Sequence, residues 1–110
     1  MTEAQKLLAL AERLGHKALL GREAFANGER HDPDGVYLCL DDGLQLFDPA
    51  NNGDQAIAVL AWLLRNFRCD LSHNAVTVWH SNDILICDID YDGTAAGLRK
   101  AVTEAGMRVV

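Results

Sequence analysis

Asp88, Asp90 and Asp92, with Gly93 behind them, carry the D-x-D-x-D-G spacing that opens a calcium-binding loop. Such a loop closes with a bidentate acid at its twelfth position. Counted from Asp88 that position is Arg99, a cation. The segment ahead of the acids also reads as a strand, where a calcium loop follows a helix. The three acids therefore suit the end of a strand running into a turn and a helix cap. Four histidines, His16, His31, His73 and His80, raise zinc as a possibility. None stands at ligand spacing with another histidine or cysteine, and a tetrahedral site needs three or four converging ligands. Cys87 with His80 has the residue types of a nucleophile pair, but alternation along the strand turns Cys87 toward the core, where a thiol is inert. No glycine-rich phosphate cradle is present, and no basic stripe interleaved with aromatics. The sequence thus points to a protein that is not an enzyme, with no catalytic, metal-binding or cofactor-binding residue and no cofactor.

What remains is a surface. The stretch Asn74 to Gly93 alternates β-branched and aromatic residues with period two and breaks at Ser81-Asn82, which predicts a hairpin. With those two residues as the turn, Val78 faces Leu85 and Val76 faces Cys87. Val76, Val78, Leu85, Cys87, Ile89 and Tyr91 then form a core face. Trp79, Ile84 and Ile86, beside Asp88 and Asp90, fall on the other side as an aromatic-centred patch with an acidic rim. Interfaces are enriched in tryptophan, and a few such anchors carry most of the affinity. The alternative is a helix covering that face within the fold.

Local signals place the supporting elements. Thr2 and Gln5 make a capping-box pair for a helix from Thr2 to Leu14 that Gly15 stops. Its apolar face is Ala4, Leu7, Leu8, Ala11 and Leu14. Lys17 to Ala26 reads as a second short helix with Leu19, Leu20 and Phe25 inward. Asn27-Gly28 and Asp32-Pro33-Asp34-Gly35 are turn signals. Val36 to Phe47 reads as a hairpin turning at Asp42-Gly43, with Val36, Leu38, Leu40 and Phe47 on one face and Tyr37, Cys39, Leu44 and Leu46 on the other. Asn52 caps a helix from Gly53 or Asp54 to Phe67 that is apolar nearly all round. One stripe is Ile57, Leu60, Ala61 and Leu64, and another is Val59, Trp62 and Leu63. A helix of this kind is covered on more than one side, by the sheet and by either the N-terminal helix or a second subunit. Thr94 caps a last helix, Ala95 to Ala105, with Leu98, Ala101, Val102 and Ala105 inward and Gly106 at its end; Met107 to Val110 is a short apolar tail. The expectation is one α+β domain, residues 1–110. It has a four-stranded, largely antiparallel sheet built from two hairpins with helices packed on it, in the order α-β-β-α-β-β-α.

That order resembles small phage and prophage proteins of the ABA-sandwich type. The likeness is carried by LQLFDPANNGDQAIAVLAWLLRNF, then VTVWHSNDILICDID, and by the alanine- and leucine-rich final helix. It covers roughly Val36 to Ala105. In that family a P-S-T-D-like turn leads from a strand into an apolar helix. Here the turn is Asp48-Pro49-Ala50-Asn51-Asn52, so Pro49 matches and the serine and threonine do not. The resemblance implies a fold and a phage context in a bacterial host cell, with no established activity or catalytic residues.

Charge placement narrows the partners. The 110 residues carry a net charge of −6, with 49% apolar and 24% charged residues. No Lys or Arg occurs from His31 to Leu64 or from Cys69 to Leu98, while eleven aspartates do. Such a surface repels phosphates and anionic membranes and attracts basic proteins, although aspartate also serves turns. Three widely spaced cysteines, Cys39, Cys69 and Cys87, favour free thiols in a reducing, cytoplasmic setting. The N-terminus shows no signal peptide. The longest apolar run, Ala56 to Leu64, falls far short of the roughly 20 residues that span a bilayer. The leading expectation is a small acidic phage-derived binding protein that occludes a basic surface of a host factor, in the manner of an anti-defence or anti-CRISPR inhibitor, with a homodimer possible. The alternative is a small-ligand binder with a pocket at a subunit interface. A metal-dependent enzyme using Asp88, Asp90 and Asp92 is third.

Overall fold

The structure, a computed structural model, describes residues 1–24 and 32–110. Two compact units divide the chain, Met1–Asp48 with Val110, and Pro49–Val109. Each begins with a helix followed by a three-stranded antiparallel meander. The architecture is α+β, but it has two separate three-stranded sheets in place of the single four-stranded sheet expected from the two hairpins.

In the first unit, α1 spans Glu3–Arg13. Thr2 Oγ1 accepts the Gln5 amide at 3.1 Å and Gln5 returns the bond to the Thr2 amide at 2.8 Å, which is the expected capping box. At the other end His16 donates to Ala11 and Gly15 to Glu12, satisfying the terminal carbonyls. This closure holds Gly15 at φ +92, a left-handed conformation that suits glycine. The buried centre of the helix is Leu10 with Ala11, both fully enclosed. Leu10 was absent from the expected face, while Ala4, Leu7, Leu8 and Leu14 are only partly buried.

The helix expected over Lys17 to Ala26 does not form in the described residues. Ala18–Leu20 is instead a strand, β1, followed by a 3₁₀ turn over Gly21–Glu23. Phe25, Ala26 and the Asn27-Gly28 signal lie outside the described residues. Ala-Leu-Leu favours a helix intrinsically, but pairing with β2, Val36–Leu40, outweighs that preference. The expected turn at Asp32 to Gly35 is present: the Gly35 amide donates to the Asp32 carbonyl at 3.0 Å.

The first hairpin turns at Asp41-Asp42, one residue before the position expected, and β3 is Gly43–Leu46. Gly43 adopts φ +139. Tyr37 pairs with Leu46 and Cys39 with Leu44, a two-residue shift from the expected register. A shift of two preserves the faces, because side chains alternate with period two. Val36 and Leu38 are buried against α1, and Tyr37, Cys39, Leu44 and Leu46 share the opposite face.

In the second unit, α2 spans Gly53–Asn66, and Asn52 Oδ1 accepts the Gln55 amide as its N-cap. Its buried face is Gln55, Ala56, Val59 and Leu63. Of the two expected apolar stripes, Val59 and Leu63 of one are enclosed with Trp62 partly buried, and Ile57 and Leu64 of the other are exposed. Strands β4 (Arg68–Leu71), β5 (Ala75–Trp79) and β6 (Leu85–Asp90) follow in order. Strand β4 was not expected. The last helix, α3, runs Ala95–Arg108, so Gly106 lies buried inside it and the expected tail is helical at Met107 and Arg108. Helix α3 packs on β5 and β6, and α2 packs beside α3 and against β4. Val76, Val78, Cys87 and Ile89 of the sheet and Ala101, Val102 and Ala105 of α3 are buried together as this unit's core.

Candidate functional site

The expected Ser81-Asn82 hairpin turn is longer by one residue. His80 and Ile84 pair, with the His80 amide donating to the Ile84 carbonyl at 2.8 Å, and Ser81, Asn82 and Asp83 form the loop. Asp83 takes φ 66, the left-handed position that ends a three-residue hairpin loop. A bulge then follows opposite Val78 and Trp79. Trp79 pairs with Leu85, whereas Val78 pairs with Cys87, so Ile86 is the inserted residue. The longer loop and the bulge add up to a two-residue shift. Val76, Val78, Cys87 and Ile89 therefore stay on the core face as expected, with different partners. Leu85 does not. It leaves the expected core face, stands opposite Trp79 and is 55% exposed.

Residues paired across antiparallel strands project to the same side of the sheet. The side opposite the core thus carries three rows across β4, β5 and β6: Arg68, Trp79 and Leu85; Asp70, Thr77 and Asp88; and Ala75 with Asp90. In the first row the Arg68 guanidinium lies 4.9 Å from the centre of the Trp79 ring and bonds Asp83 at 2.7 Å. Both members of that ion pair are largely solvated, so the pair adds at most about 1 kcal/mol. The stacked cation shields the indole, which is partly buried. In the second row the Thr77 hydroxyl donates to Asp88 Oδ1 at 2.9 Å. Asp70, Asp88 and Asp90 are exposed and make no ion pair among the described residues.

Of the five residues expected as a patch, Trp79, Asp88 and Asp90 lie on this face. Ile84 sits at the loop end and is 58% exposed, and Ile86 is partly buried at the bulge. Helix α3 packs on the other side of the sheet, burying Val76 and Val78. Sequence reasoning missed Arg68, Asp70 and Leu85. The first two belong to the unexpected strand, whose Arg-Cys-Asp-Leu alternation was a usable signal lying directly against the end of α2.

The residues weighed for other chemistry go elsewhere. Asp92 accepts both the amide and the hydroxyl of Thr94, and Thr94 Oγ1 in turn caps α3 by accepting the Gly97 amide. The bonds from Thr94 hold the Asp92 carboxyl below the usual carboxylate range. Among the described residues no three His, Cys, Asp or Glu side chains gather into a group able to hold a metal ion. Cys87 is buried and the other two cysteines are partly buried, all as free thiols. Burial pushes the Cys87 and Cys69 thiols up, the opposite of nucleophile activation. His80 packs beside Phe67 at a ring separation of 6.2 Å. Among the described residues no helix is long and apolar enough to cross a membrane. No family model, curated protein or solved structure matches this chain.

Proposed function

We propose that this chain is a non-enzymatic binding protein that seats a basic protein surface on the outer face of the β4–β5–β6 sheet. The observation that carries this reading is the row order of that face. Exposed apolar Leu85 adjoins Trp79 at one end, and Asp70, Asp88 and Asp90 stand beside them without ion-pair partners among the described residues. An apolar anchor beside an acidic field suits a partner presenting an apolar contact ringed by Lys or Arg. The uncompensated carboxylates steer approach, and the Trp79–Leu85 row supplies the contact area. Arg68 is the one cation in the row; its stacking on the indole keeps the ring oriented. The same field disfavours nucleic acid as a direct ligand. The resemblance to phage ABA-sandwich proteins adds a phage context, in which the partner is a bacterial host factor and the chain acts by occluding it, in the class of anti-defence inhibitors.

The test is capture from bacterial lysate on the immobilised chain, with native mass spectrometry of the eluate. Wild type is expected to retain a basic protein that Leu85→Glu releases while staying folded, its melting temperature lowered by only a few degrees. Retention unchanged by Leu85→Glu and by Asp88→Lys would place the binding surface elsewhere. A small bound mass with no protein would favour a ligand-binding role.

A further inference from the structure

A second surface of the Pro49–Val109 unit, independent of the sheet face, lies along α2. At 100° per residue, Asp54, Ile57, Ala58, Ala61, Leu64 and Arg65 fall within an arc about 120° wide. All six are exposed, and the buried residues Gln55, Ala56, Val59 and Leu63 occupy the opposite side of the helix. Ile57 is 66% exposed and Leu64 53%, so this arc is an apolar stripe left in water. The stripe is bounded by an acid at its N-terminal end and a base at its C-terminal end. Neither Asp54 nor Arg65 forms an ion pair among the described residues.

We infer that this stripe is the contact of a two-fold dimer in which α2 of one copy packs antiparallel on α2 of another. The charge order is self-complementary only in that direction. Asp54 and Arg65 are separated by eleven residues, roughly 16 Å along the axis. A two-fold axis through the midpoint brings Asp54 of each copy against Arg65 of its partner, at both ends at once. A parallel pair would stack like charges instead. The same axis places Ala58 of one copy against Ala61 of the other. These small side chains let the helices approach to about 8 Å, the short end of helix packing distances. Ile57 and Leu64 of both copies then cover the alanines along one edge of the seam. Antiparallel packing also sets the positive N-terminus of each helix beside the negative C-terminus of its partner. One helix pair of this length is a small interface, so the association is weak and concentration-dependent.

Sedimentation equilibrium of the full chain, from low micromolar to submillimolar concentration, reads this directly. Wild type is expected to pass from monomer toward dimer. Ala61→Glu, at an exposed helical position, is expected to stay monomeric at every concentration with unchanged circular dichroism. Asp54→Arg alone and Arg65→Asp alone each bring like charges together and are expected to remain monomeric. An equimolar mixture of those two variants restores opposite charges at both ends and is expected to associate at least as well as wild type. A wild type that is monomeric throughout overturns the inference. So does a dimer that survives Ala61→Glu, or a mixture no more associated than its components. Because the sheet face takes no part, loss of this dimer leaves partner capture by Leu85 and the aspartates as a separate question.

Discussion

Leu85→Ala decides whether the bulge in β6 delivers a leucine to the outer face. The substitution removes three carbons, worth about 2.4 kcal/mol if all were fully buried, at about 0.8 kcal/mol each. Leu85 is 55% exposed, so somewhat less than half of that value applies. No closed cavity forms, because water already reaches the site. The expected loss is therefore about 1 kcal/mol, compared with roughly 2–5 kcal/mol for a leucine enclosed in a core. Val78→Ala is the internal control. Val78 is fully buried on the opposite face, and losing two methyl groups there, with the cavity they leave, is expected to cost about 2 kcal/mol or more. Urea unfolding followed by tryptophan fluorescence gives both values, provided the two variants keep the wild-type dependence on denaturant. If Leu85→Ala costs more than Val78→Ala, Leu85 lies in the core, the bulge is absent and the outer face loses its apolar row.

Three further outcomes follow from the same geometry. In native protein at neutral pH, Cys87 is expected to react with a maleimide last of the three cysteines, because it is buried and its thiol is pushed up by that burial; denaturation should equalise the rates. The Asp92 carboxyl is held below its ordinary value in the folded state, so the folded protein binds that proton less tightly than the unfolded chain. Its contribution is present above the ordinary aspartate value of about 4 and is lost as pH falls through the lowered folded value, so Asp92→Asn should flatten the acid side of the stability profile. Millimolar calcium is expected to leave the melting temperature unchanged, since Asp88 is engaged with Thr77 and Asp92 with Thr94; a rise of several degrees would show native-state binding.

What was legible in the sequence was what local chemistry decides. Thr2 with Gln5, Asn52 and Thr94 cap their helices through bonds to amides three residues away, so three residues of sequence suffice to read each cap. The faces of both hairpins, apart from the Leu85 end of β6 beyond the bulge, were legible for a different reason. Their registers each moved by two residues, and a period-two pattern is unchanged by an even shift. Strands β1 and β4 were missed for different reasons: β1 is supported only by pairing with β2 well along the chain, whereas β4 pairs locally with β5 but its alternation follows directly on the apolar pattern of α2. Ala18–Leu20 is too short for periodicity, and Arg68–Leu71 runs on from a helix without a turn residue between them. Missing these two strands turned two three-stranded sheets into one of four. It also hid Arg68 and Asp70, which complete the candidate surface. The bulge that exposes Leu85 is likewise a property of the pairing, with no glycine in β6 to announce it.

The central claim is that the outer face of β4–β5–β6 meets a basic partner. Its most direct measurement is the association rate with the captured partner at low and high salt, for wild type and for Asp88→Lys combined with Asp90→Lys. Both positions are exposed, so the variant is expected to keep its melting temperature. Exposed interface charges act mainly on encounter. Wild type should associate quickly at low salt and slow steeply as salt rises, and the variant should be slow at low salt with a flat dependence. Equal rates and equal salt dependence for the two proteins would contradict the claim.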